Sequence, residues 1–89
     1  MTDKLLPYDS AEHFRTPEDQ SALLEDAFAS NDPAYLAHAI GIVARAHGMT
    51  DLERKTGVKR QHLYSAFSQT GNPTLATVTK VLSELGFRL

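Results

Sequence analysis

Thr50-DLERKTGVKRQHLYSA-Phe67 is the stretch whose reading decides the fold. Its apolar positions, Leu52, Val58, Leu63 and Ala66 or Phe67, are spaced so that two short helices crossing at a wide angle share one small core. Thr50 is a candidate N-cap, and Glu53, three residues on, is placed to bond back to the Thr50 amide, a capping box that starts the first helix at Asp51. Gly57 must end that helix, because glycine accepts the left-handed conformation that closes one, and Val58 then anchors the turn. The second helix begins near Lys59 or Arg60. Its other face is left to Arg60, Gln61, His62 and Ser65, and the forked or paired donors of Arg and Gln match guanine and adenine edges in a major groove. A bare amphipathic helical hairpin has the same apolar spacing. The glycine turn, the short second helix and the Lys-Arg-Gln opening together favour a helix-turn-helix.

Working outward, cap-proline pairs announce two more helices. In Thr16-Pro17 and Asp32-Pro33 the first residue can cap while proline, lacking an amide hydrogen, suits the first turn; helices over about 17–29 and 33–47 are predicted. Leu23 with Ala27 and Leu24 with Phe28 form the inward pairs of the first, and Leu36, Ile40, Val43 and Ala44 the stripe of the second, which Gly48 ends. After the helix-turn-helix, Ser68-QTGN-Pro73 reads as a turn. Asn72 or Thr74 caps a last helix with the stripe Leu75, Val78, Leu82 and Leu85, stopped by Gly86. A short helix from Asp9 or Ser10 to about Phe14 is a further candidate, and Phe87-Arg88-Leu89 is either a frayed end or a short strand pairing across a dimer. The glycines sit at helix ends and form no phosphate-cradling loop. With no strand-period pattern, the expectation is an all-α, single compact five- or six-helix domain: an acidic helical extension over 1–31 and a DNA-binding helical core over 32–89.

Eighty-nine residues, 42% hydrophobic, suffice for one domain and little more than one core. The absence of cysteine excludes disulfides, thiolate metal sites and cysteine nucleophiles. No run approaches the roughly 18 apolar residues of a membrane span, and the start MTDKLLPYDSAEHF lacks the features of a secretion signal, so a soluble, cytoplasmic protein with no membrane partner is expected. The net charge of −2 is unevenly divided. Residues 1–44 hold two bases against eight acids, a net of −6, whereas residues 45–89 hold seven bases against three acids, a net of +4. The basic half can face phosphate; the acidic half must face water or another kind of partner. Its apolar residues, Phe14 among them, exceed what short decorating helices need, and with Glu18, Asp19, Glu25 and Asp26 around them they suit a basic protein.

No reaction is implied by the remaining chemistry. His13, His38, His47 and His62 have no metal-ligand spacing, so neither metal nor cofactor is expected, and Ser65 would stand on an exposed helix with no cleft around it. Tyr64 can reach phosphate with its hydroxyl or pack its ring on the last helix, the second being favoured. Lys59, Arg54, Lys55 and Lys80 gather around the proposed binding helix as candidate phosphate contacts. Asn72 is a cap, or a cap that also donates to phosphate.

Ser30-Asn31-Asp32-Pro33, Ile42-VARAHG-Met49, Gly57-Val58, Leu63-Tyr64-SAFS and Gly71-NPTLATVTKVLSELG-Phe87 together resemble the short addiction-module antidote proteins, HigA-like antitoxins encoded beside RelE/ParE-like toxins. The resemblance covers nearly the whole chain. It implies a protein that binds its own operator, usually as a dimer, represses its own operon and captures a small basic toxin. The recognition-helix face of the wider phage-repressor class carries over to Arg60, Gln61, His62 and Ser65. At Glu53 the chain departs from that class, which usually places alanine there for close helix packing; either the capping box accommodates it or the two helices sit slightly apart. The alternatives are a stand-alone prophage repressor without a toxin, and a helical protein-interaction module in which the helix-turn-helix is only scaffold.

Overall fold

Local signals start and stop almost every helix of the computed structural model, which describes residues 14–68 and 71–87. Thr16 accepts the Asp19 amide at 3.1 Å and opens α1, Pro17–Ala29. Asp32 accepts the amides of Ala34 and Tyr35 and opens α2, Pro33–His47. Each cap satisfies donors that the first helical turn leaves without partners, and Pro17 and Pro33 remove one more. Among the described residues three shorter helices follow, α3 (Met49–Thr56), α4 (Arg60–Ala66) and α5 (Leu75–Leu85), with no strand. The candidate helix ending at Phe14 lies outside the described residues except for Phe14, which is not helical.

The start of α3 departs from expectation. Gly48, at φ +118°, breaks α2 and lets the chain re-enter a helix at Met49, one residue later, so Thr50 lies inside the first turn and cannot cap it. The capping box does not form. Thr50 and Glu53 instead reach forward to α4, as described below. At the other end Gly57 takes the left-handed conformation at φ +78°, and Thr56 Oγ accepts the Val58 amide, which holds Val58 against the core.

α2 is the central helix and touches each of the other four. Ile40, Val43 and Ala44 on α2, Leu52 on α3, Leu63 on α4 and Val81 on α5 meet with 0% exposure, while Leu24 and Ala27 bring α1 onto the same core. Gly41, in mid-helix rather than at a helix end, has a packing reason. A Cβ there would stand 2.8 Å from the Phe67 carbonyl oxygen, so only glycine lets the end of α4 approach α2 this closely.

Two inward stripes are rotated from the predicted ones. Phe28, expected to pair with Leu24, is 39% exposed, because Leu24 and Ala27 set the buried line of α1. In α5 the line runs through Thr77, Val78, Val81, Leu82 and Leu85, and Leu75, expected inside, is 73% exposed on the first turn. Thr74, accepting the Thr77 amide, is the cap of α5, and Asn72 is not. Gly86, left-handed, and Phe87, whose amide donates to the Leu82 carbonyl at 2.8 Å, close α5 in a Schellman arrangement, with Phe87 packed against the core. Arg88 and Leu89 lie outside the described residues.

Candidate functional site

α4 has seven residues, and only Leu63 and Ala66 are buried. At about 100° per residue these two, with Phe67 just after them, define one side, and the opposite side centres on Gln61 and Ser65. Tyr64 lies next to that centre, while Arg60 and His62 fall on its two margins. All five are exposed. Tyr64, expected to pack its ring on the last helix, is 48% exposed, so about half of the residue is covered and half is open. Lys59 and Asn72, at the two ends of this surface in the chain, are exposed as well.

Arg60 occupies its margin for a reason visible in its bonds. Its backbone amide donates to Glu53 Oε2 at 3.2 Å, and its guanidinium Nη1 donates to Thr50 Oγ1 at 2.9 Å, so the residue that opens α4 is tied twice to α3. Glu53 thus caps α4 from a neighbouring helix, satisfying an amide that Lys59, as N-cap, leaves without a side-chain partner. This places the carboxylate at the junction between α3 and α4. Sequence spacing hid the arrangement, because seven residues separate donor from acceptor.

The cations around α4 differ in their partners. Asp51 gathers His47 at 2.9 Å, Arg54, and Lys55 at 3.5 Å; these neighbours, His47 first, hold its carboxyl below the ordinary carboxylate range. Lys55 also reaches Glu84 at 3.8 Å and links α3 to α5. Lys59 and Lys80 are exposed.

The acidic residues of α1 form a second surface. Glu18 and Glu25 stand two turns apart on the side away from Leu24 and Ala27, with Asp19 and Asp26 toward one flank and Phe28 toward the other. Asp26 is not free for a partner. Its Oδ2 accepts the Tyr35 hydroxyl at 2.6 Å, tying α1 to α2, and that bond raises the Tyr35 pKa above its ordinary value. Phe14 is partly buried, and its carbonyl accepts Gln20 Nε2 at 2.9 Å; Phe28, which sequence reasoning assigned to the core, is the more open aromatic. No group of three His, Cys, Asp or Glu residues is placed to hold a metal ion, and no helix is long and apolar enough to cross a membrane, among the described residues.

A family model described as "Probable addiction module antidote protein" matches residues 4–89, nearly the whole chain. The chain belongs to this antidote family. It is also 38% identical over 88 residues to an uncharacterized protein of Haemophilus influenzae (strain ATCC 51907 / DSM 11121 / KW20 / Rd), an alignment that covers 99% of this chain and 91% of the relative. No solved structure matches it significantly. As a member of an addiction-module antidote family the protein has an antitoxin role, with a toxin of some kind as its partner, and a regulatory rather than enzymatic character.

Proposed function

We propose that this antidote is a HigA-like antitoxin that binds operator DNA through α4, represses its own operon, and neutralises a RelE/ParE-like toxin by direct binding. The observation that supports the DNA half is the exposure of Arg60, Gln61, His62, Tyr64 and Ser65 on a helix whose other side is locked into the core. Laid in a major groove, such a helix presents Gln61 and Ser65 centrally, with a glutamine amide suited to the paired acceptor and donor of adenine. Arg60 and His62 read from the margins. Lys59, Tyr64 and Asn72 are left for phosphate, since the Glu53 carboxylate occupies the Arg60 amide and turns a phosphate away from the start of α4. A helix this short addresses one half-site, so the reading includes a homodimer on a two-fold operator.

The acidic side of α1 supports the toxin half. Glu18, Asp19 and Glu25 steer a basic protein, and Phe28 and Phe14 offer apolar area to hold it. The test measures the chain against the DNA upstream of its own gene, a scrambled duplex of equal length, and the small basic protein encoded beside it. Preference for the native duplex over the scrambled one by at least about a hundredfold is expected. Equal affinity for both duplexes reduces the DNA half to unspecific charge attraction; absence of binding to either leaves α4 as scaffold in a protein-interaction module.

A further inference from the structure

We infer that Thr50, on α3, is a positioning residue for base readout, its hydroxyl holding the Arg60 guanidinium against a guanine of the operator half-site. The inference rests on the operator reading above and deepens it, naming the base that Arg60 takes and the residue that aims it.

Arg54 and Arg60 carry the same group under opposite conditions. The Arg54 guanidinium lies on the Asp51 carboxylate of its own helix, so its charge is met within the chain. Arg60 Nη1 donates at 2.9 Å to Thr50 Oγ1, a neutral acceptor on the neighbouring helix. Among the described residues no carboxylate stands within ion-pair distance of that guanidinium. A hydroxyl fixes the direction of the group without cancelling its charge, and a carboxylate in the same place would compete with the electronegative base edge.

The bond also leaves one edge of the fork open. Nε and Nη2, on the side away from Nη1, present two parallel N–H groups that take no acceptor among the described residues. Two parallel donors match O6 and N7 of guanine, and no other base offers a pair of acceptors in the major groove. Phosphate accepts the same fork, but Arg60 is the first residue of α4, and in the docking proposed for this helix the residues at its start reach base edges while the preceding helix crosses the backbone. Thr50 and Arg60 are both exposed, so water replaces their bond with little change in stability, and what the bond sets is direction. The junction of α3 and α4 is held independently, by the Arg60 amide on Glu53 and by the buried Leu52 and Leu63. An arginine held before contact also loses less rotamer freedom on binding than a free one.

The experiment selects duplexes from a randomised library with the wild-type chain. Affinity is then measured for the best selected duplex, for a scrambled one, and for copies in which each half-site guanine in turn is replaced by 7-deazaguanine, which pairs normally but lacks the N7 acceptor. One guanine per half-site is expected to respond, the wild type losing about tenfold there. Arg60→Lys, which keeps the charge and removes the fork, should become indifferent to that replacement. Thr50→Val, which removes the acceptor at nearly equal size, should lose most of the same guanine preference, and Thr50→Ser should restore it. A wild type that selects no sequence removes the operator reading and this inference with it. Selection with a guanine response that Thr50→Val leaves intact overturns the inference alone. So does a loss of equal size on selected and scrambled duplexes, the mark of a phosphate contact. If Thr50→Val loses helicity, Thr50→Ala takes its place, and the Arg60 Nε–H resonance of the wild-type complex is compared between the guanine and 7-deazaguanine duplexes. It is expected to move, and an unmoved resonance overturns the inference.

Discussion

Arg60 and Gln61 are neighbours with the same sequence-level promise and different structural positions. Arg60 spends its amide on Glu53 and its guanidinium on Thr50, whereas Gln61 points from the centre of the open side of α4. Gln61→Ala is therefore expected to remove about 1 to 3 kcal/mol of discrimination between native and scrambled duplex with the melting temperature unchanged. Arg60→Ala is expected to affect both, since it also releases the α3–α4 tie; competition binding and thermal melts on the same two variants check the contrast. His38, partly buried on α2, gives a prediction about pH. Burial first, and then the nearby Arg45 charge, lower its pKa below the ordinary 6.5. The unfolded chain then takes up a proton before the folded chain does. Stability is accordingly complete above about pH 6.5 and declines as pH falls from there toward the folded pKa. His38→Gln should flatten that decline in denaturant titrations between about pH 7 and 5, and an NMR titration of the His38 ring should give a midpoint below that of an exposed histidine.

At the scale of elements, α3 and α4 are too short to be stable as isolated helices and owe their persistence to what they pack against. Leu63, with no exposed surface, sits where α4 meets α2 and α3, so Leu63→Ala should cost about 2 to 5 kcal/mol, a large share of what a domain of this size holds. Early melting with parallel loss of DNA and toxin binding is the expected outcome; a normal melt with DNA binding alone lost would mean that the two sides of α4 had been exchanged. The outer side of α1 carries the proposed toxin contact. Reversing Glu18, Asp19 and Glu25 to lysine should abolish toxin capture and leave operator binding equal or tighter, with helicity retained. Asp26 is kept out of that set, since its bond to the Tyr35 hydroxyl joins α1 to α2 and its reversal would mix folding with binding. Survival of toxin binding in the triple variant would move the toxin to another element.

Across the whole molecule, the division of charge gives a chain with a net charge of only −2 an acidic half and a basic half. On the proposed operator reading DNA meets the basic half, and its binding should then follow counterion release, log K falling linearly with log salt by about 0.9 for each phosphate neutralised. With Lys59 exposed just before α4 and Arg54 and Lys80 exposed on α3 and α5, a slope of about −2 to −3 per copy is expected, and fluorescence anisotropy over a salt series measures it. A slope near zero would point to an apolar interface in place of phosphate contact.

Most boundaries of the fold were legible because they are set within four residues of chain. Thr16-Pro17, Asp32-Pro33, Gly57 and Gly86 cap or stop helices through bonds to their immediate neighbours, and those bonds form where the local pattern predicts them. The inward residues Ile40, Val43, Leu52, Leu63 and Leu82 follow from periodicity for the same reason. What spacing could not reveal is whichever property depends on a neighbour from another element. Glu53 reads as a cap for its own helix and caps the next one, Gly41 serves the approach of Phe67, and Asp26 is engaged by Tyr35. Leu75 and Phe28 continue an apolar stripe in sequence and emerge from the surface in space. A stripe states only that a side chain is apolar, whereas burial needs a second element in front of it, and the packing of α1, α3, α4 and α5 around α2 decides where such an element stands.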